Sequence, residues 1–375
     1  MINKILRGVI FCVCSVAMAQ DSSTNPFMQL LEKAGAHARE HGAVQPVLSP
    51  VDATVLSGAV PVKDLQAKGF KVVAWTTNEP EKIRAVIRTG VDGLISDRPD
   101  LLQQVLKEEI AAAKTPEERK RLEHFDVTAH RGGRGLRPEN TLPSFESGLD
   151  QLVTTLETDT GVTTDHVSLI WHDQFLNPES CRKADGSAYT LENRVFLKDI
   201  SSTDAQKTFI CDKVHFGDAQ KNDLALSPVA VAFAKKEGLI SPYVPTYAAQ
   251  LFRFTNFYVD YYKKGAGKSS PHARERAANA EKVRFNIETK LMPDEIATDE
   301  AHRNHTVGPQ VFVDVLCGAI KQNGMEARAE VQSFDFRTLL LIAEQHPEIP
   351  TYYLTGSPKS LSSPLVPETL RVMAQ

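Results

Sequence analysis

Short apolar, β-branched runs alternate with helix-patterned stretches along most of the chain, and this alternation restricts the possible folds more than any other feature. The runs are Lys71–Trp75, Gly93–Ser96, Phe125–Ala129, Leu152–Leu156, Val167–Trp171, Val283–Ile287, Ala329–Gln332 and Pro350–Leu354, eight candidate strands. Between them, Glu79–Thr89, Leu101–His124, Leu142–Gln151, Gly308–Asn323 and Phe336–His346 read as helices, with Thr89-Gly90 and Asn323-Gly324 as stop signals. Such alternation predicts a parallel sheet with crossover helices. Eight strands of this kind favour a closed (β/α)8 TIM barrel; an open doubly wound sheet is the alternative. The strand ends sharpen the choice, because almost every run finishes on a polar residue: Asn78, Asp97, His130, Asp159, His172, Lys290, Ser333 and Thr355. A barrel builds its site from the C-terminal ends of several strands, whereas an open sheet concentrates it at one switch point. The distributed pattern favours the barrel.

One stretch breaks the alternation. Residues 174–245 are rich in Asp, Lys, Ser and Thr. A structureless loop of that length is improbable in a compact domain, so the segment is expected to be an insertion with its own structure over the barrel mouth. It is followed by an aromatic helix, Tyr247–Tyr262, whose stripe is expected to pack into core. The basic, small-residue-rich segment Lys263–Lys282 reads as a solvated loop, with a membrane-surface or substrate patch as the alternative. A net charge of -4 with both signs mixed excludes a basic stripe for nucleic acid. Residues 1–19 read as a secretory signal: a charged start, an apolar run over Ile5–Val16, and the small-x-small site Ala17-Met18-Ala19. The run is too short to span a bilayer comfortably, so an exported protein without a stable membrane anchor is expected. Of the cysteines beyond it, Cys181 and Cys211 are compatible with a bridge, and Cys317 reads as a small core residue.

Two histidines, an arginine and two carboxylates lie near strand ends within the segment from Thr128 to Asp173. Side chains alternate along a strand, so Glu157 and Asp159 point the same way while Thr158 points away. Like charges held side by side invite a cation. His130 and His172 are candidate proton donors and acceptors near neutral pH, and Arg131 suits a phosphate. Together these groups suggest metal-assisted phosphoester chemistry. Taken singly, each has a plainer reading as a structural histidine, an exposed strand edge or a core tryptophan. Only the joint pattern argues for a site.

His130-Arg131-Gly132, Pro138-Glu139-Asn140-Thr141, Glu157-Thr158-Asp159, His172-Asp173, Asn286-Ile287-Glu288-Thr289-Lys290 and Gln332-Ser333-Phe334-Asp335 resemble successive signatures of the glycerophosphodiester phosphodiesterase family. So do Trp75-Thr76-Thr77-Asn78 and the run from Gly90 to Pro99. The resemblance covers most of the chain from about Leu30 to Thr355. Its order departs from the family, since the tryptophan and Gly-Val-Asp-Gly motifs, which close the family's barrel, come first here. The simplest account is a circular permutation, with residues 27–124 supplying the last strands and residues 125–355 the first six; a fusion of two incomplete domains is the alternative. A ring keeps its neighbours when its opening moves to another loop. The resemblance implies one divalent cation, Mg²⁺ or Ca²⁺, on Glu157, Asp159 and Glu288. It implies His130 and His172 as general acid and base. Arg131 and Lys290 are implied to bind phosphate, Trp75 and Phe334 to form an apolar wall, and Asn140 to orient the loop after the His-Arg-Gly strand at the substrate site. The implied substrate is a small glycerophosphodiester, cleaved to glycerol 3-phosphate and an alcohol. A phospholipase D-like enzyme for lysophospholipid or sphingomyelin, using the Tyr247–Tyr262 aromatics, and a non-catalytic binding protein are the competing readings.

Overall fold

The computed structural model describes residues 24–291 and 305–372; the expected leader lies outside them. In chain order the strands are β1 (Val47–Pro50), β2 (Lys71–Ala74), β3 (Gly93–Ser96), β4 (Asp126–Ala129), β5 (Thr155–Val162), β6 (Ser168–Ile170), β7 (Arg182–Lys183), β8 (Phe209–Ile210), β9 (Arg284–Thr289), β10 (Ala329–Ser333) and β11 (Thr351–Thr355). Eight of these pair in parallel in the order β4-β3-β2-β1-β11-β10-β9-β5, and β5 returns to β4 to close the ring. Helices pack outside it, and the barrel is the expected (β/α)8 fold.

Two members of the ring differ from expectation. β1 was not anticipated: Val-Leu-Ser-Pro has only two apolar residues before Ser49 and Pro50, which read as a turn, yet all four are buried. It pairs Leu48 with both Tyr353 of β11 and Val72 of β2. Lys71–Trp75 therefore does not pair with Pro350–Leu354, because β1 lies between them. Conversely, Val167–Trp171 is not a barrel strand. β6 runs antiparallel to β5 as a hairpin arm, pairing Thr160 with Ile170. Its Leu169 and the neighbouring Trp171 are apolar because they join the core of the insertion. The N-terminal segment thus supplies three ring strands, and residues 125–355 supply five plus the hairpin. Phe125–Ala129 does pair with Gly93–Ser96, from Gly93↔Asp126 to Ser96↔Ala129.

The helices anticipated from the sequence are present, and the structure adds or divides others, among them Asp52–Leu56 and Val62–Ala67. Leu101–His124 is two helices, Pro99–Ala112 and Pro116–Glu123. Pro116 has no N–H to continue the first helix and biases Thr115 to extended backbone, where its hydroxyl caps Glu118. Helix Pro26–Glu40, capped by Asn25, buries Phe27, Met28, Leu30 and Leu31. Within Lys263–Lys282, Ala273–Ala280 is helical and buries Ala273, Ala277 and Ala280, so that segment is not simply a solvated loop. The aromatic helix, Ala248–Lys263, buries Phe252, Phe254, Tyr258 and Tyr262 as a core face. These four rings are therefore committed to the core and not open to a lipid. Among the described residues no helix is long and apolar enough to cross a membrane.

The insertion has its own small core of Leu176, Leu197, Ala205 and Phe209, with the β7–β8 ladder and a Cys181–Cys211 disulfide. It docks at the barrel mouth: the Gln220 amide donates to the carbonyls of Arg134 (2.7 Å) and Arg137 (3.2 Å). Cys317 is a buried core thiol, as expected.

If β1 completes the ring, truncating its fully buried Leu48 should weaken the whole barrel. Leu48→Ala is expected to cost about 2–5 kcal/mol while thermal unfolding, followed by circular dichroism and tryptophan fluorescence, keeps one transition. A separate early transition for the N-terminal segment would contradict this.

Candidate active site

The barrel register sets three carboxylates against one another. β5 pairs with β9 so that Asp159 lies opposite Glu288, and Glu157 shares the face of Asp159 two residues away. Each offers an oxygen within 4.8 Å of the others, and all three are buried. Like charges directly opposite in a sheet destabilise it, and burial adds a desolvation cost. Burial, with the charges of Asp159 and Glu288, pushes the Glu157 carboxyl well above the usual range. Burial also raises Glu288, with Lys290 opposing and Asp159 reinforcing the rise. Burial pushes Asp159 up too, but Arg131, His172 and Lys290 outweigh it and hold the group ionised.

Neighbouring groups fix this cluster. Gln332 donates to Glu157 Oε1 (2.8 Å), and the Arg131 backbone N–H donates to Glu157 Oε2 (2.8 Å). The Asn140 amide donates to Asp159 Oδ2 (2.9 Å), while Asn140 Oδ1 accepts from Thr158 (2.9 Å). Lys290 Nζ lies 2.8 Å from Glu288 Oε1 and 3.8 Å from Asp159 Oδ1. Asp159 Oδ1 is buried and has no hydrogen-bond partner. An orphaned buried oxygen within an all-oxygen donor set is what a hard divalent cation would complete.

The loop after β4 carries backbone strain. Arg131 (φ 49°) and Asn140 (φ 56°) are left-handed non-glycine residues, a conformation that costs about 1–3 kcal/mol each. The Arg131 carbonyl accepts from the Asn140 N–H (3.1 Å) and the Ser144 hydroxyl (2.6 Å), which holds the turn. Gly132 follows at φ 79°, where a Cβ would lie 2.7 Å from Ser144 Oγ and 2.8 Å from the Phe145 nitrogen. Only glycine lets helix Leu142–Asp150 pack this close. The Arg131 guanidinium pairs with Glu139 (2.7 Å) and Asp159 (3.2 Å).

Both histidines have a carboxylate at Nδ1. His130 Nδ1 lies 2.6 Å from Asp97 Oδ1, and its Nε2 lies 3.9 Å from Glu157 Oε2. Burial pushes the imidazole down to about 4, against the hydrogen bond to Asp97. At neutral pH the ring is therefore uncharged, its Nδ1–H is donated to Asp97, and Nε2 keeps a free lone pair. Burial also acts on Asp97, but His130 and Arg134 outweigh it and hold its carboxyl well below the usual range. With His130 neutral, that depression rests on the donated hydrogen bond and on Arg134 Nε at 2.7 Å. His172 Nδ1 lies 2.9 Å from Asp173 Oδ1, and a third of its side chain is exposed.

A cavity of about 340 Å³ gathers these groups. Its lining includes Trp75, His130, Arg131, Glu157, His172, Glu288, Lys290 and Phe334. Trp75 and Phe334 meet edge to face, with ring centroids 5.5 Å apart. Asp159 sits directly behind the lining as the third carboxylate. Asn140 holds the loop through its N–H on the Arg131 carbonyl, but it is fully buried and hydrogen-bonded to Asp159 and Thr158, so it also positions a carboxylate and does not line the cavity. The sequence reading gave no role to Asp97, Arg134, Asp173 or Gln332, although Asp97 was visible as a polar strand end. Arg134 had no such signal. It reaches the cavity with Phe216 of the insertion stacked 4.3 Å from its guanidinium.

The Glycerophosphoryl diester phosphodiesterase family model matches residues 10–101 and 130–375. The chain belongs to that family. A 45-residue stretch is 44% identical to the "Probable glycerophosphodiester phosphodiesterase 2" of Mycobacterium tuberculosis, covering 12% of this chain and 17% of that protein. An 87-residue stretch is 32% identical to a dermonecrotic toxin of Loxosceles laeta, covering 21% of this chain and 30% of the toxin. The chain thus aligns with less than a third of either curated relative. A solved Silicibacter pomeroyi structure, described under the same family, is 20% identical with a TM-score of 0.43, covering 66% of this chain and 68% of that one.

In this family member the carboxylate cluster should govern stability without a cation. Glu157 is raised in the folded state, so its contribution is complete below the unfolded value and is lost as pH rises through the folded one. Glu157→Gln removes that charge, and Gln332, whose Oε1 is unpartnered, can turn its amide to accept from the new side chain. In chelator at pH 8 the variant should melt at least ~2 °C above the parent, and the gap should close towards pH 4. An equal or lower melting temperature at pH 8 would show that the cluster is not under repulsion.

Proposed function

We propose that this chain is a divalent-cation-assisted phosphodiesterase that hydrolyses glycerophosphodiesters to glycerol 3-phosphate and a free alcohol. The observation that carries this reading is the buried Asp159 Oδ1 left without a hydrogen bond, where Asp159 converges with Glu157 and Glu288 next to a cavity lined by two histidines. Glu157, Asp159 and Glu288 would hold Mg²⁺ or Ca²⁺, which when bound would stabilise charge on the phosphoryl oxygens.

The proton transfers fall to the chain's own side chains. His130 presents an unprotonated Nε2, fixed by Asp97, and accepts the proton of the glycerol hydroxyl next to the phosphoester as that oxygen attacks phosphorus. His172, oriented by Asp173, gives a proton to the alcohol oxygen as its bond to phosphorus breaks. Water then opens the cyclic phosphate with the two roles reversed, which restores both histidines. Lys290, Arg131 and Arg134 supply positive charge at the cavity for the phosphate. Trp75 and Phe334 give an apolar wall to the glycerol or alcohol side.

Two further readings belong to this proposal. The chain order is a circular permutation of the family's, supported by the two-part family match and by one ring built from both parts. The chain is exported by its N-terminal segment, supported by the Cys181–Cys211 bridge, since disulfides persist mainly in oxidising compartments.

Glycerol 3-phosphate release from a panel of glycerophosphodiesters, with Mg²⁺ or Ca²⁺ and with chelator, tests the activity. Turnover should vanish in chelator. His130→Ala and His172→Ala should each lower kcat by roughly 10²-fold or more, with cation affinity nearly unchanged. The double variant should be hardly worse than the worse single one. Near-parental turnover in either single variant, or a defect confined to cation binding, would remove the acid–base assignment.

A further inference from the structure

A second cavity of about 440 Å³ opens beside the catalytic one and shares Lys290, Phe334 and Leu354 with it. Its far wall comes from the segment after β11, through Leu361, Leu365 and Val366. We propose that this cavity is a subsite for a hydrocarbon chain, so that the preferred diester carries an acyl or alkyl arm; the inference rests on the phosphodiesterase reading.

The polar groups around the cavity already have partners. The Ser360 hydroxyl donates to the Ser357 carbonyl (2.7 Å), and Ser363 Oγ accepts from the Leu365 N–H (3.2 Å). Asp335 accepts from the Arg337 backbone N–H (3.1 Å) and from Arg337 Nε (2.9 Å). Lys290 is engaged by Glu288 at the edge shared with the catalytic cavity. What remains on the walls is aliphatic and aromatic surface. A polar head group would lose its water there without gaining hydrogen bonds, which is unfavourable. A hydrocarbon chain would lose only apolar hydration. Apolar pockets of several hundred Å³ are typical ligand sites. Phe334 supports the same occupant. It is 45% exposed although large and aromatic, and it stands on the border of both cavities, edge-on to Trp75. A chain leaving the phosphate near Lys290 would cross that ring before entering the second cavity.

The test compares kcat/KM of the full chain, with divalent cation present, across two matched series below their micelle thresholds. One carries 1-acyl chains of increasing length on glycerophosphocholine, and the other carries n-alkyl alcohols esterified to glycerol 3-phosphate. In one series kcat/KM should rise by roughly two- to fourfold per added methylene until the cavity is filled. Which series rises tells whether the chain is borne by the glycerol or by the alcohol. Leu365→Trp, which narrows the second cavity, and Leu365→Gln, which makes it polar, should flatten the rise while turnover of unacylated glycerophosphocholine stays at the parental level. Turnover that is flat in both series, or a rise that survives both variants, would overturn the subsite. No turnover of any diester would instead contradict the phosphodiesterase reading. Calorimetric binding of 1-octanoyl-glycerophosphocholine then still decides the subsite: binding weakened by Leu365→Trp supports it, and unchanged or absent binding overturns it.

Discussion

The structure depends on a confrontation of like charges. Parallel pairing of β5 with β9 sets Asp159 opposite Glu288, and the strand period adds Glu157 to the same face. Two unit charges 4–5 Å apart repel by about 3–4 kcal/mol at an effective dielectric near 20. That is a substantial share of the ~5–15 kcal/mol by which a domain is stable. Much of the surrounding structure answers this repulsion. Arg131 adopts a strained turn that sends its N–H to Glu157 and its guanidinium towards Asp159. Asn140, strained in the same sense, donates to Asp159; Gln332 donates to Glu157; Lys290 stands at Glu288. Even so, burial and the neighbouring carboxylates leave the Glu157 and Glu288 carboxyls raised above their usual range, and one oxygen of Asp159 is left without a hydrogen bond. A divalent cation would resolve all three conditions together.

The histidines lie one step out from this cluster, and their carboxylate partners divide them. Asp97 comes from the end of β3, so His130 is oriented by a strand that precedes it in the chain. Asp173 is the immediate neighbour of His172, on the hairpin arm that leads into the insertion. The insertion also reaches the first histidine indirectly: Phe216 stacks on Arg134, which pairs with Asp97. One histidine is therefore tied to the barrel ring and the other to the segment that docks at its mouth.

How much was legible in the sequence follows from the physics of each element. Strand alternation exposed Glu157 and Asp159 as same-face residues, and of the polar strand ends His130, His172 and Lys290 line the cavity. β1 was invisible because its short apolar start runs straight into Ser49 and Pro50, which read as turn residues; only the open ring edges of β2 and β11 reveal its place. The β6 segment misled because an apolar run reads the same whether it is buried in a barrel or beneath an insertion. Asn140 was expected to orient the loop at the substrate site, because a motif residue beside charged strand ends looks like a cavity residue. Its burial and its two hydrogen bonds make it a support. Arg134 could not be read at all, since its partners Asp97 and Phe216 come from distant parts of the chain.

The central claim is that Glu157, Asp159 and Glu288 form one divalent-cation site. Diffraction from crystals soaked in Mn²⁺, a hard cation with a usable anomalous signal, tests it most directly. The account predicts a single strong anomalous peak within ligand distance of all three carboxylates, lost in Asp159→Asn. Crystals that diffract well but show no peak there, or a peak that persists in Asp159→Asn, would contradict it.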